Sequence, residues 1–389
     1  MRIAIPIHSF EPGGVERVAL RLARHWQSAG HEPIVVLGRD RGPCRNTSPD
    51  LDYWSLKEPC QTDRWETLWM VWSLFQFLLT ERVDAVFCSG NTYTVVCVAM
   101  KLLLGDRCPP ILVKISNDLE RRDIPRGARP FYRWWLKVQG AWLDGFVAMA
   151  NPMTPEIKRE LSVTDDMVSV IPDPALSRDD LRKLSENRLI RNSQSGCRFL
   201  TVGRLVAQKN QAMLLEAFAR HCWPDDTLVI AGDGPERDRL VKLADALGIA
   251  EQVRFAGHVE NVHALYAEAD VFILSSHYEG VPAVVIEALA AGLPMAVTDC
   301  CASMAWLTGN GQFGVIVEPN DADALGSGMN LARHIQPNRD AMRQLAAKFT
   351  LEHSSEVYLS TIRSLTARHR QERMEKLCSG VRLWRGGGV

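Results

Sequence analysis

Short apolar runs alternate with amphipathic segments along most of the chain. The run RIAIPI is followed by a segment with apolar residues at helical spacing, GGVERVALRLARHWQSAG, and then by a second strand-like run, EPIVVLG. This order predicts a strand, a helix and a second strand. The alternation continues through VDAVFCSG, ILVKIS and GFVAMA, and so predicts a parallel sheet flanked by helices.

The alternation stops between about Pro172 and Gly196, where charges and turn residues are dense, as in a linker. It resumes with five more strand-like runs: RFLTVG, TLVIAG, VRFAG, VFILSS and PMAVTD. We therefore predict a first α/β domain over residues 1–172, a linker over 173–197 and a second α/β domain over 198–351. Two such domains create a cleft, and ligands bind at the carboxyl ends of parallel strands, so functional residues are expected there.

The composition fits this two-domain interpretation. The 389 residues are 46% hydrophobic and 23% charged, as in ordinary globular proteins. With 45 basic and 46 acidic residues the formal net charge is -1, so no molecule-wide field attracts nucleic acid. The longest apolar run, LWMVWSLFQFLL, is shorter than the roughly 18 to 20 residues of a bilayer span and predicts a buried or interfacial helix.

Cysteine usage and the first residues indicate the compartment. The ten cysteines include no C-x-x-C pair and no grouping at zinc-ligand spacing, so we expect neither a disulfide framework nor a metal cluster. The opening MRIAIPIHSF begins as a strand and lacks the features of a signal peptide. We therefore expect a cytoplasmic protein with reduced thiols.

Two glutamates stand out in the segment SSHYEGVPAVVIEALAAGLP. Glu279 lies in the loop at the carboxyl end of a buried strand and is expected to face the cleft. Pro282 follows near the first position of a helix, so the amides of Gly280 and Val281 lie at a helix N-terminus, where an anion is favoured. Glu287 sits in the second turn of that helix. A carboxylate there needs a hydrogen-bond partner, which a ligand hydroxyl could supply.

A plain structural interpretation of the same segment stays open. In it, Glu287 is solvent-exposed on one face of an ordinary helix and Glu279 is a surface loop residue. The two alternatives differ in the burial of the carboxylates.

Two cations and a glycine-rich turn follow other strands of the second domain. Arg204 and Lys209 lie in TVGRLVAQKN, a loop between a strand and a helix. Two cations in such a loop favour binding of a phosphate group. Gly232 and Gly234 lie in AGDGPERDRL, which suits close approach of a ligand to the backbone. Each feature also has a simpler interpretation. The two cations could lie in an ordinary solvated basic loop, and the two glycines could simply form a good turn.

A glycine pair follows the first strand of the first domain. Gly13 and Gly14 lie in FEPGGVERV, between the first strand and the first helix. The spacing is not G-x-G-x-x-G, so a dinucleotide fingerprint is absent. The pair is consistent with a loop that faces phosphate.

In this order, the motifs resemble those of the retaining glycosyltransferase family four, also called glycosyl transferases group 1. The resemblance covers most of the chain, strongly from 198 to 299, and the E-x7-E element with EALAAGLP is its most specific part. It implies the α/β GT-B architecture: two Rossmann-like doubly wound domains facing a central cleft, the first on the acceptor side and the second binding a nucleotide sugar. It also implies a C-terminal helix, about 352–375, that packs back on the first domain.

The resemblance assigns roles to the candidate residues. It implies that Arg204 and Lys209 hold the diphosphate and stabilise the leaving group, that Glu279 contacts sugar hydroxyls and that Glu287 contacts the ribose. The donor-binding residues that it implies are Gly13, Gly14, Gly203, Arg204, Lys209, Gly232, Gly234, Val259, Glu279, Gly280, Val281, Pro282 and Glu287.

One position departs from the family pattern. Many members carry a histidine after a late strand of the first domain, where this chain has Asn117 and Asp118 in ILVKISNDLE. Asn117 could donate to a sugar hydroxyl and Asp118 could act as a polar or basic group, and both are also good loop caps. His8, at the end of the first strand, is another candidate.

No metal or other cofactor is expected. Asp-x-Asp occurs only at residues 50–52 and 321–323. We interpret the first as part of a Pro-bounded loop and the second as a helix start. Two cations and a helix N-terminus could stabilise the departing diphosphate in place of a divalent ion.

The acceptor must be inferred from the first domain. Residues 120–140 carry six basic and two acidic side chains, with four aromatic side chains interleaved. This mixture suits the headgroup region of an anionic membrane, so peripheral contact through Arg121–Trp142 is predicted. Core tryptophans beside a solvated basic helix face are the alternative. No nucleic-acid-binding motif is present, and no nucleic-acid partner is expected.

The resulting hypothesis is a metal-independent, retaining hexosyltransferase that uses a nucleotide-diphosphate sugar. We expect a UDP-sugar, because UDP is the commonest donor nucleotide in the family that the chain resembles. The acceptor is a glycan or a lipid-linked glycan of cell-envelope or polysaccharide biosynthesis. The expected location is the cytoplasm, free or peripheral at the inner face of the membrane. Two alternatives remain: an epimerase or hydrolase on the same fold, and a non-catalytic sugar-nucleotide-binding partner subunit.

Overall fold

The computed structural model describes residues 1–10, 14–42, 45, 50–120, 124–125, 127–186 and 196–385. The chain divides into two compact units. The first unit comprises Met1–Pro172 and the segment from Glu352 onward, and the second comprises Asp173–Leu351.

The first unit is built on a seven-stranded parallel sheet. Its strands, in chain order, are β1 (Arg2–Ile7), β2 (Glu32–Leu37), β3 (Asp52–Ser55), β4 (Ala85–Cys88), β5 (Ile111–Ile115), β6 (Gly145–Ala148) and β7 (Val168–Val170). Its helices before the second unit are α1 (Gly14–Ser28), α2 (Glu66–Thr80), α3 (Thr94–Leu104), α4 (Arg129–Trp142) and α5 (Thr154–Leu161). The spatial order is β3-β2-β1-β4-β5-β6-β7. Every residue of β4, β5 and β6 is buried, as expected for central strands covered on both faces.

The second unit is built on a six-stranded parallel sheet. Its elements are α6 (Arg178–Glu186), β8 (Arg198–Val202), α7 (Gln211–His221), β9 (Thr227–Ala231), α8 (Arg237–Ala246), β10 (Val253–Gly257), α9 (His263–Glu268), β11 (Val271–Leu274), α10 (Ala283–Ala291), β12 (Met295–Thr298), α11 (Met304–Leu307), β13 (Gly314–Val317), α12 (Ala322–Ala332) and α13 (Arg339–Ala347). The spatial order is β10-β9-β8-β11-β12-β13. The strand order reverses between β8 and β11, so the loops that follow these two strands emerge side by side. The α/β class with two parallel sheets, predicted from the sequence, is confirmed.

The last helix, α14 (Leu351–Arg385), packs on the first unit. Tyr358 lies against Phe87, with 5.1 Å between ring centroids, and against Trp26. Arg368 donates to the carbonyl oxygen of Asp144 at 3.0 Å. The helix extends about ten residues beyond the end expected from the sequence.

Three strands were not predicted from the sequence, and all three lie at sheet edges. They are β3, β7 and β13. Their residues are mostly half-buried or exposed, because an edge strand has a neighbour on one side only. Without a continuous apolar run, the sequence pattern gave no signal for them.

The predicted linker over 173–197 needs correction. Residues 178–186 form α6, which packs on α9, α10 and α13 of the second unit. Ser177 and Asp180 cap its start reciprocally: the Ser177 hydroxyl donates to the Asp180 carboxylate at 2.6 Å and accepts from the Asp180 amide at 3.0 Å. A single buried leucine, Leu184, anchors this polar helix, which explains its linker-like composition. Residues 187–195 of the predicted linker lie outside the described part of the chain.

The longest apolar run lies in α2, and its prediction as a buried or interfacial helix is confirmed. One side of the helix is buried under the first sheet through Trp69, Met70, Leu74 and Phe77. The other side exposes Leu68, Trp72 and Leu79. In the described ranges, no helix has both the length and the apolar character needed to cross a bilayer.

Candidate functional site

Two loops at the carboxyl edge of the second sheet carry most of the candidate residues. The first loop, residues 203–210, joins β8 to α7, and the second loop, residues 275–282, joins β11 to α10. Because β8 and β11 pair directly at the reversal of strand order, the two loops are neighbours. This edge is where open α/β sheets bind ligands.

Hydrogen bonds tie the two loops together. The amide of His277 donates to the carbonyl oxygen of Gln208 at 2.8 Å, and the Gln208 side-chain amide donates to the carbonyl oxygen of Tyr278 at 2.8 Å. The Ser275 hydroxyl donates to the carbonyl oxygen of Lys209 at 2.8 Å. These bonds use main-chain groups, so the relative position of the loops is set by the protein before any ligand binds.

Lys209 and Glu279 meet across the two loops. The Lys209 Nζ lies 2.5 Å from Glu279 Oε1, and the side chains are only 17% and 11% exposed. The Ser276 hydroxyl donates to the same carboxylate oxygen at 2.7 Å, and the Glu279 amide donates to the carbonyl oxygen of Cys300 at 2.9 Å. Glu279 is therefore a held, largely buried carboxylate rather than the surface loop residue of the alternative interpretation.

Arg204, the second predicted cation, has a different environment. Its side chain is exposed, and its guanidinium forms no ion pair with any residue that the structure describes. Its carbonyl oxygen accepts a hydrogen bond from the Gln211 side chain at 3.1 Å, which fixes the backbone of the first loop. Of the two cations, Arg204 thus has its full charge available to a ligand, whereas the charge of Lys209 is partly offset by Glu279.

The N-terminus of α10 lies at the end of the second loop. Pro282 is its N-cap residue, and no side chain caps the helix there. Gly280 and Val281 are buried, and their amides donate to no group among the described residues. Two buried donors and the positive end of a helix dipole are a suitable environment for an anion or for sugar oxygen atoms. The sequence predicted this feature.

Glu287 is half-buried and hydrogen-bonded to a residue that the sequence analysis missed. The Tyr266 hydroxyl lies 2.8 Å from Glu287 Oε2. Tyr266 is fully buried on α9, and burial together with the Glu287 carboxylate raises its pKa well above the usual range. A tyrosine inside ALYAEADVF reads as an ordinary core residue. The only available signal was that a buried phenol needs a hydrogen-bond partner.

The glycine-rich turn after β9 packs against the first loop. A side chain at Gly232 would overlap the carbonyl oxygen of Gly203, and one at Gly234 would overlap that of Leu205. Both glycines also have positive φ, +137° and +159°. Contact between two backbone segments of the protein is therefore sufficient to explain these glycines. Val259, in the loop after β10, is half-buried at the same edge of the sheet.

The remaining candidates lie in the first unit. Gly13 lies outside the described residues, and Gly14 is the first residue of α1. Asn117 and Asp118 are half-buried in the loop after β5. His8 is buried at the end of β1 against Tyr93, and burial lowers the pKa of its imidazole.

The two Asp-x-Asp segments have structural positions. Asp321 caps α12, and its side chain accepts from the Ala324 amide at 2.8 Å, as predicted. Asp323 contacts His221 at 3.0 Å. The placement of the first segment wholly in a loop is wrong, because Asp52 begins the edge strand β3. Across the described ranges, no three His, Cys, Asp or Glu side chains are grouped as metal ligands would be.

Family models match both units of the chain. The model described as glycosyl transferases group 1 matches residues 188–349, and the model described as glycosyltransferase family 4 matches residues 12–174. The chain belongs to the group 1 glycosyltransferases. The first match contains both loops, so the family assignment and the geometry of the site refer to the same residues.

Curated relatives of this group 1 chain include proteins named for cell-envelope sugars. A lipopolysaccharide core biosynthesis glycosyltransferase, LpsE of Rhizobium meliloti (strain 1021), is 34% identical over 170 residues, which are 42% of this chain and 49% of LpsE. A Campylobacter jejuni α-1,4-N-acetyl-D-galactosaminyltransferase named for a GalNAc-containing, undecaprenol-linked substrate is 24% identical over 380 residues, 93% of this chain and 98% of that protein. The matches to the first relatives span about half of their length or less.

Solved structures show the fold. The lipopolysaccharide outer core galactosyltransferase WaaB has a TM-score of 0.74 at 18% identity, covering 94% of this chain and 99% of WaaB. Anabaena HepE in complex with UDP and glucose has a TM-score of 0.72 at 17% identity, covering 94% of this chain and all of the HepE chain. The GT-B fold implied by the sequence resemblance is confirmed.

Proposed function

We propose that this group 1 chain is a retaining hexosyltransferase that moves a sugar from a UDP-sugar to a glycan or lipid-linked acceptor in cell-envelope or polysaccharide biosynthesis, without a metal ion. One observation carries the proposal: Lys209 and Glu279 are held together, largely buried, beside two unpaired amides at the start of α10. A cation, a carboxylate and free amide donors are the groups that a sugar diphosphate needs.

The proposed chemistry follows from these charges. The bond between the anomeric carbon and the diphosphate breaks, its electron pair goes to the diphosphate, and the anomeric carbon becomes positive. Arg204, Lys209 and the N-terminus of α10 stabilise the negative charge of the leaving group. The acceptor hydroxyl forms the new bond on the face that the diphosphate leaves, and a diphosphate oxygen takes its proton, which retains the configuration.

The donor and the acceptor are supported by relatives. HepE was solved with UDP and glucose, and two relatives carry names that refer to lipopolysaccharide core synthesis and to an undecaprenol-linked glycan. The metal-free mechanism is supported by the two cations and the helix N-terminus, which together supply the positive charge that Mg²⁺ would otherwise bring.

The decisive experiment is calorimetric titration with UDP, GDP, ADP and their sugars, with and without EDTA, followed by an assay of sugar transfer. We expect selective, EDTA-insensitive binding of UDP and of one UDP-sugar. Loss of binding in EDTA would contradict the metal-free mechanism. Tight binding without transfer to any acceptor would favour the non-catalytic partner subunit, and absence of binding by every nucleotide would contradict the proposal.

Glu287→Ala is expected to weaken binding of free UDP by about tenfold or more, because hydrogen bonds to a charged group are lost. The transfer rate at saturating donor should change much less, since the ribose is remote from the bond that breaks. Calorimetry with UDP measures the effect. Glu268→Ala, which removes an exposed carboxylate from α9, is the matched control. Unaltered UDP affinity in a folded Glu287→Ala protein would exclude the ribose role.

Peripheral attachment to the inner face of an anionic membrane is a further part of the proposal. Helix α4 buries only Leu136 and Gln139 among its side chains. Phe131 is 71% exposed and Trp134 is 56% exposed, and Arg133 is exposed beside them. Exposed aromatic and basic side chains on one helix favour the boundary between lipid headgroups and acyl chains. Part of the predicted segment, residues 121–123 and 126, lies outside the described residues.

The double variant Phe131→Ala/Trp134→Ala is expected to reduce sedimentation with vesicles that contain phosphatidylglycerol by about fivefold or more, because two exposed aromatic anchors are removed. Binding of UDP should be unchanged. Leu331→Ala, an exposed apolar residue on α12, is the control. Equal sedimentation of the wild-type protein with neutral phosphatidylcholine vesicles would contradict the electrostatic part of the proposal.

A further inference from the structure

Tyr266 is held in place at both ends of its side chain. Its ring stacks on Phe272 of β11, with 5.9 Å between centroids and 26° between planes. Its hydroxyl oxygen lies 2.8 Å from Glu287 Oε2 and 3.1 Å from the carbonyl oxygen of Val284. A phenol has one proton to donate, and the shorter contact is to the charged acceptor. Tyr266 therefore donates to the Glu287 carboxylate.

This contact holds one oxygen of the Glu287 carboxylate in place. Glu287 lies on α10, whose neighbouring residues Val285, Ile286, Ala288 and Leu289 are buried and apolar. A glutamate has three rotatable bonds, and ordering it on ligand binding lowers affinity. With Oε2 bonded to Tyr266 in the free protein, part of that ordering precedes ligand binding. The carboxylate oxygens can still accept hydrogen bonds, since together they offer about four acceptor positions.

We propose that Tyr266 is a positioning residue that holds the Glu287 carboxylate for the ribose hydroxyls, and that this pair selects ribonucleotide donors over 2′-deoxyribonucleotide donors. The inference rests on the proposed function, in which Glu287 contacts the ribose. A half-buried carboxylate that accepts from the ribose hydroxyls loses those hydrogen bonds when the sugar lacks the hydroxyls, so such a site discriminates against the deoxy form.

The chemistry of the pair supports this role. Burial and the neighbouring Glu287 carboxylate raise the pKa of Tyr266 well above its usual range, so the phenol keeps its proton at neutral pH and stays a donor. Glu287 and Tyr266 belong to different elements of the second unit, α10 and α9, and the sequence separation between them is 21 residues. The contact thus depends on how these two helices pack on the sheet.

The test is calorimetry of the wild-type protein and Tyr266→Phe with UDP, 2′-deoxy-UDP and 2′,3′-dideoxy-UDP. If the wild-type protein binds a nucleotide with another base, the corresponding three diphosphates of that base are used. We expect the wild-type protein to bind UDP about tenfold or more tighter than the dideoxy form, and to bind the 2′-deoxy form with an affinity between the two. In Tyr266→Phe, UDP binding should weaken several-fold, binding of the dideoxy form should hardly change, and the preference should largely disappear. The KM for the donor should rise with kcat close to wild type.

Two further variants distinguish loss of the Tyr266–Glu287 contact from general destabilisation of the protein. Tyr358→Phe removes a buried phenol hydroxyl from the first unit and should leave the ribose preference intact. If Tyr266→Phe is too unstable to measure, Glu287→Gln serves instead, because it keeps the side-chain size and removes the charge. Its expected result is also loss of the ribose preference.

The outcomes distinguish this inference from the proposed function. No nucleotide binding by the wild-type protein overturns both. A wild-type preference retained in a folded Tyr266→Phe protein overturns the Tyr266 inference alone. Wild-type binding with no preference for the ribose, or a preference retained in a folded Glu287→Gln protein, overturns both the Tyr266 inference and the ribose role of Glu287, and leaves the proposed sugar transfer standing.

Discussion

Lys209→Met is expected to lower the rate of sugar transfer by about 10²-fold or more, because it removes a preorganised cation from a leaving group that becomes negative in the transition state. Methionine keeps most of the aliphatic stem, so the packing of the first loop is preserved. The measurement is kcat with the donor identified by calorimetry. Lys242→Met, at an exposed lysine of α8, is the matched control and should leave the rate unchanged.

Lys209→Met also breaks the ion pair with Glu279, so it is expected to affect stability as well as catalysis. A double variant separates these two effects. Without Lys209, the Glu279 carboxylate keeps the Ser276 hydroxyl as a partner but loses its cation while remaining only 11% exposed. We therefore expect a lower free energy of unfolding as well as lower activity. The double variant Lys209→Met/Glu279→Gln removes both charges and should recover much of the stability but none of the activity. A transfer rate for Lys209→Met close to wild type would exclude Lys209 from the mechanism.

Glu279→Gln is expected to lower transfer by about 10²-fold, yet to tighten binding of free UDP by about three- to tenfold. Transfer falls because the carboxylate no longer contacts the sugar or faces the developing positive charge. UDP binding tightens for two reasons. Lys209 is released from an ion pair 2.5 Å long, and a negative charge beside the diphosphate is removed.

The opposite signs of the two effects make this variant informative. Calorimetry gives the affinity for UDP, and initial rates give transfer. Glu251→Gln, which neutralises an exposed carboxylate elsewhere in the second unit, controls for the change in net charge. Weaker UDP binding by a folded Glu279→Gln protein would mean that the carboxylate helps to bind phosphate by positioning Lys209, and would contradict competition between Glu279 and the diphosphate.

The central part of each sheet could be predicted from the sequence because its strands are buried on both faces. A strand such as β4, with the sequence AVFC and every residue buried, has to be an apolar run, and that run is visible without knowledge of its neighbours. The edge strand β3 has no such requirement, since it has one neighbouring strand and its residues are half-buried or exposed. The helix α6 escaped prediction for a similar reason, because one buried leucine satisfies its contact with the second unit.

The candidate site was predictable residue by residue but not as a set of contacts. Local chemistry identified Lys209, Glu279 and the amides at the start of α10, because ligands of open α/β sheets bind at the loops that follow the strands. The hydrogen-bond partner of Glu287 was not predictable, since Tyr266 resembles any other core aromatic residue in sequence. The packing role of Gly232 was equally hidden, because the oxygen atom that excludes a side chain there belongs to Gly203, in another loop.

The sequence by itself determined the α/β class, the central strands and the identity of the charged loop residues, because burial and local charge are properties of short segments. Only the tertiary structure decided that Lys209 and Glu279, 70 residues apart, form an ion pair and that Tyr266 holds Glu287. The physical reason is that parallel strands hydrogen-bond in an order that differs from chain order. Pairing β8 with β11 brings together two loops that no local pattern connects.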